Sequence, residues 1–109
     1  MAFTPISGTL VQYDKTDGTL ASGYILKFYN TSNVAINCYS ASDGSGALAS
    51  ATLDSAGYPL NGSSARFTPY IDQTYKLALY TNSTDADADT TANADWFDGP
   101  YPQSAAAGG

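Results

Sequence analysis

Gly23-Tyr24-Ile25-Leu26-Lys27-Phe28-Tyr29-Asn30 sets Tyr24, Leu26 and Phe28 on one side of an extended chain and Ile25, Lys27 and Tyr29 on the other. That two-residue period is the signature of a strand, and it predicts a core face built from Tyr24, Leu26 and Phe28. A second stretch, residues 74–80, repeats the pattern with Tyr75, Leu77 and Leu79 opposed to Lys76, Ala78 and Tyr80. Two such strands, rich in aromatic and aliphatic residues, predict the centre of a sheet.

Around them, weaker candidates recur at short intervals with turn residues between, as expected of a sandwich or small barrel. Residues 8–13 read as a first strand, and Asp17-Gly18 closes it because glycine accepts positive φ without a steric cost. Residues 34–40 read as a strand in which Ile36 and Cys38 share a face, which makes Cys38 a small buried hydrophobe. Residues 47–53 read as a weaker strand of small residues, and Arg66-Phe67-Thr68 as a short one ending at Pro69. The fold class expected is all-β: a small antiparallel β-sandwich, or an Ig-like or jelly-roll-like domain. Residues 1–103 form the single domain and 104–109, only Ser, Ala and Gly, a tail or linker.

Composition agrees. The 109 residues suit one domain, and glutamate and histidine are absent while lysine and arginine number four, so the usual surface clothing of helices is missing. Ten aspartates give a net charge of −6, which disfavours nucleic acid and anionic lipid as partners. A single cysteine, Cys38, provides neither an internal disulfide nor a Cys-rich zinc site. The N-terminal Met1-Ala2-Phe3-Thr4-Pro5 has no signal-peptide pattern and no stretch reaches the length of a membrane helix, so synthesis in a reducing cytosol is expected.

Chemistry is expected to be binding. No histidine or glutamate is available as a base poised near neutrality, no serine sits in a nucleophile motif, and Asp17, Asp43 and Asp54 stand in turns that account for them. No catalytic residue, cofactor or metal ligand is therefore assigned. Asp85, Asp87 and Asp89 imitate the first acidic positions of a calcium loop, but its glycine would fall on Thr90 and its glutamate on Trp96. That run reads instead as a solvated loop or one or two helical turns capped by Ser83 or Thr84. The nine tyrosines are the other marked feature. Those opposite the core faces, Tyr29 and Tyr80, together with Trp96, Phe97 and Tyr101 near the end, are the candidate interface residues. On tyrosines alone, a lectin-like carbohydrate-binding module is the other reading.

The order of motifs over residues 23–30, 37–40, 52–57 and 74–80 resembles that of the N-terminal virion-anchoring, head-binding domains of bacteriophage tailspikes and tail fibres. The Leu53-Asp54-Ser55-Ala56-Gly57 turn followed by Tyr75-Lys76-Leu77-Ala78-Leu79-Tyr80 is the most distinctive pair, and Trp96 resembles the aromatic that follows an acidic loop near the end of the unit. The resemblance implies a non-enzymatic virion protein made in the host cytoplasm. It would be a homotrimer that attaches a receptor-binding fibre to head–tail connector, neck or baseplate proteins, or a stand-alone adaptor or capsid decoration protein.

Overall fold

A computed structural model describes residues 4–5, 10–41, 43–62 and 65–101. Among the described residues, nine short strands run in the order β1 (Thr4–Pro5), β2 (Ile25–Tyr29), β3 (Ala35–Ile36), β4 (Cys38–Tyr39), β5 (Ala47–Leu48), β6 (Ala51–Thr52), β7 (Tyr70–Ile71), β8 (Tyr75–Tyr80) and β9 (Trp96–Tyr101). A five-residue helix, α1 (Ser83–Asp87), and a 3₁₀ turn over Thr91–Asn93 join β8 to β9. All strand pairs are antiparallel. The protein is the small all-β domain that the alternating stretches predict.

The larger sheet has the order β3-β2-β8-β9, with β6 sharing the β3 edge of β2. Its centre is the pairing of β2 with β8, in which Leu26 faces Leu79 and Phe28 faces Leu77. The smaller sheet has the order β1-β7-β4-β5. Between them, Leu26, Phe28, Leu77 and Leu79 from the large sheet meet Cys38 and Ile71 from the small one in a single apolar cluster. Tyr24 lies just before β2 and is only partly buried at the cluster's margin.

Two stretches that read as continuous strands in fact change sheets midway. Ile36 pairs with Phe28 in the large sheet, whereas Cys38, two residues on, pairs with Leu48 in the small one. Leu48 and Ala51 divide in the same way, since Ala51 pairs with Leu26. Strands that switch sheets form the corners of a sandwich, and small or polar residues such as Asn37, Ala49 and Ser50 allow the bend. Residues 10–13 are likewise not a strand, and residues 8–9 lie outside the described residues, as does the 104–109 tail. Arg66 makes an isolated bridge to Leu60, and the strand of that region comes after Pro69, at β7.

The outer face of the large sheet is covered as well. Ile25, Tyr29, Ala78 and Tyr80 form a second cluster closed by Ala86 of α1 and flanked by Phe97 and Ala94. The helix begins at Asn82, one residue before the expected caps, because the Asn82 side chain accepts the Asp85 N–H at 2.9 Å. Among the described residues no helix is long and apolar enough to cross a membrane.

Candidate functional site

Tyr29 and Tyr80, expected as exposed interface tyrosines, are both fully buried. Their exposure is corrected by α1 and the loop after it, which fold over the face that alternation alone assigns to solvent. Beneath that cover Lys27 Nζ donates to the Ala86 carbonyl and pairs with Asp89 Oδ1, each at 2.6 Å. Tyr29 donates to the same Asp89 oxygen at 2.8 Å and lies 2.5 Å from the Tyr80 hydroxyl. Tyr29 has one O–H to give, so Tyr80 is the donor in that second contact. Asp89 takes a left-handed φ of 55° to reach Lys27. Its carboxyl is held below the usual range, first by the Lys27 hydrogen bond, while burial raises the Tyr29 phenol. Asp85, by contrast, turns to the amides of Asn82 and Asn93, so the acidic run does not converge on one point.

The other three candidate residues sit on β9, the edge of the large sheet. In its register with β8, Trp96 faces Leu79 and Asp98 faces Leu77, so both project on the core side. Tyr101 would point away if the period held. One extra residue lies between Asp98 and Tyr101, and this bulge brings Tyr101 opposite Tyr75 on the same side. Gly99 makes the bulge possible, with φ at 128° and a position where a Cβ would come within 3.0 Å of Lys76 Cα. Phe97 projects to the opposite face, edge-on to Tyr29 at 5.5 Å. Trp96 and Tyr101 thus share the core side of β9, and Phe97 lies on the other.

Beside Tyr101 a groove of about 220 Å³ is lined by Val11, Tyr13, Tyr75, Leu77 and Tyr101. Its walls are tied by rings: Tyr13 stacks on Trp96 at 6.4 Å and Tyr75 lies 5.7 Å from Tyr101. Trp96 Nε1 donates to the Asp14 carbonyl at 3.1 Å, fixing the indole. The far wall is held by the Leu53–Gly57 turn. Asp54 Oδ1 accepts the N–H groups of Ala56 and Tyr58, and the turn then receives Gln12 Nε2 at the Ala56 carbonyl and Tyr13 N–H at the Gly57 carbonyl. Gly57 needs to be glycine, since its φ is 84° and a Cβ would meet Tyr13 O at 2.7 Å.

Neutral phenols and one carboxylate make up the groove's polar chemistry. Tyr101 donates to Asp98 Oδ2, and this bond together with burial and the Asp98 charge pushes its phenol up to about 12. Burial raises Tyr13 and Tyr75. All three phenols therefore stay protonated at neutral pH, and the Tyr101 proton is given to Asp98. Cys38 is buried and its thiol is pushed up to about 12 by that burial, which makes it a packing residue. Trp96 and Tyr101 stand out in the sequence as aromatics near its end, but Val11, Tyr13, Tyr75, Leu77 and Asp98 are associated with them only through the bulged register and the Gly57 contact.

Compared with family models, curated proteins and solved structures, the chain matches none.

Proposed function

We propose that this chain is a bacteriophage virion-anchoring domain, one that attaches a tail fibre or tailspike to the virion, or serves as its adaptor, by protein–protein contact. The observation that carries the reading is the groove beside β9. There Tyr101 of a bulged edge strand joins an apolar floor, with Asp98 hydrogen-bonded to Tyr101 and Trp96 stacked on Tyr13. Aromatic anchors around a small apolar pocket with a polar rim are the usual make-up of a protein contact site. Support also comes from the two most distinctive of the stretches that carry the resemblance, since the 53–57 turn holds one wall of this groove and β8 contributes Tyr75 and Leu77 to its floor. On this reading the chain is synthesised in the host cytoplasm, acts in the virion at the tail or head–neck junction, and assembles as a homotrimer.

A carbohydrate module needs ring faces open to a sugar. Tyr13 and Tyr75 are only 8% and 4% exposed, and their faces are taken up by packing. The test joins light scattering on the purified chain with glycan-array binding and retention by immobilised tail and head–neck proteins. A homotrimer retained saturably by those proteins is the expected result. A monomer that binds a glycan saturably and ignores virion proteins overturns it.

A further inference from the structure

We infer that the groove between residues 11–13 and β9 takes one large apolar side chain from a partner segment that carries lysine or arginine beside that anchor. This rests on the virion-protein reading and names the chemistry of the partner at the same site. At about 220 Å³ the groove is below the roughly 300 Å³ at which small-molecule pockets begin, and it suits a single side chain. Tyr13, Tyr75 and Leu77 make the floor, and the polar part of the rim is the Tyr101–Asp98 pair.

Charge decides between occupants. Asp98 projects on the groove side of β9 and is exposed, and Asp14 and Asp95 stand at the Trp96 end of the same strand. Each of the chain's four cations is engaged elsewhere. Lys27 is buried against Asp89, Arg66 pairs with Asp54 at 2.6 Å, Lys76 reaches Asn33 on the opposite face, and Lys15 lies over Tyr24. With a net charge of −6, a second copy of this chain meets like charge at this rim, whereas a basic segment meets its complement. Pro100 gives β9 no N–H at that position and the bulge breaks its ladder, so recognition proceeds by side-chain insertion and not by adding a strand.

The experiment selects random peptides of roughly ten residues, displayed on yeast, against the intact chain. The most enriched sequence is then made synthetically and titrated by fluorescence polarisation at low and high salt. Enriched peptides should pair a large apolar residue with lysine or arginine within two positions. Affinity should fall about fivefold or more in Asp98→Asn, as for loss of a charge at a binding rim, and weaken with salt. Val11→Phe, which fills the groove, should abolish binding, and Asn82→Ala, at α1, should not change it. Circular dichroism confirms that each variant is folded, and Asp98→Asn keeps the test intact if Val11→Phe is not. No enrichment, enrichment of acidic or uncharged peptides, or equal affinity for wild type and Asp98→Asn overturns the inference. Retention of the Val11→Phe chain by virion proteins would sink the groove and leave the anchor reading standing. Peptide binding without virion retention would do the reverse.

Discussion

The two faces of the β2–β8 pair are built from the same strands yet solved in different ways. The inner face is covered by a second sheet, and its centre is the apolar set Leu26, Phe28, Leu77 and Leu79. The outer face, with Ile25, Lys27, Tyr29, Ala78 and Tyr80, is covered by one short helix and a loop, and its centre is a lysine, two phenols and an aspartate. A sheet covers a face with apolar area, which needs no direction. A five-residue helix has too little area for that, so the cover is tied down through directed bonds that converge on Lys27 and Asp89. Period-2 alternation thus reports where polar groups lie along a strand, and not whether water reaches them.

The largest expected effect lies on the inner face. Phe28 is fully buried and packs edge-on against Tyr75 at 5.9 Å, so Phe28→Ala should destabilise the fold by about 3–5 kcal/mol in urea denaturation. A loss under about 1 kcal/mol would mean that the two sheets do not enclose a common core.

On the outer face the two partners of the ion pair should respond unequally. Asp89→Ala strands the Lys27 ammonium beneath the helix with only the Ala86 carbonyl. Because the Asp89 side chain is 44% exposed, the expected cost is about 2–3 kcal/mol, under the roughly 3–5 kcal/mol typical of a buried pair losing one member. Lys27→Met leaves Asp89 free to turn to water and should cost about 1 kcal/mol or less. Equal and negligible losses would show a solvated face with no cover. The same network gives stability a defined pH window. Asp89 has a lowered carboxyl, so its contribution is present above the ordinary carboxylate range and is lost as pH falls through and below it. Tyr29 has a raised phenol, so its contribution is present at neutral pH and is lost as pH climbs past the ordinary phenol value of about 10. Melting temperatures across pH should therefore fall at both ends, and Asp89→Asn should flatten the acid limb.

A smaller effect belongs to the helix itself. Asn82→Ala removes the cap of α1 and should cost about 1 kcal/mol, with hydrogen exchange rising in residues 83–89 before the sheets are affected. Uniform exchange across the molecule would merge cover and core into one cooperative unit. The smallest perturbation needs no mutation. Cys38 should react with a thiol reagent only at the rate of unfolding, since it is buried and its thiol is raised to about 12. Rapid labelling in the folded protein would place it outside the core.

How much of this is legible in the sequence follows from the length and contrast of each signal. β2 and β8 are readable because five or six residues alternate across a buried and a polar-bearing side. The pairs β3/β4 and β5/β6 are not, because each strand is two residues long and the switch between sheets at residues 37 and 49–50 leaves no periodic trace. β9 is hidden by Gly99-Pro100, which reads as a breaker although an edge strand tolerates it. Alternation misplaces Tyr29 and Tyr80 on the surface because their cover comes from α1 and from Asp89, which stands 60 positions beyond Tyr29 in the chain. The groove is half legible: Trp96 and Tyr101 stand out as aromatics, while Val11, Tyr13 and Asp98 acquire meaning only from the bulge and from the contact of Gly57 with Tyr13.

Saturable retention of the purified wild-type chain, beside Asp98→Asn and Lys27→Met, on immobilised tail and head–neck proteins separates the working surface from the structural cover. If the outer face is a structural cover and the β9 groove is the working surface, wild type and Lys27→Met should be retained alike and Asp98→Asn should be released at lower salt. Failure of the wild-type chain to be retained, together with saturable glycan binding, would contradict it.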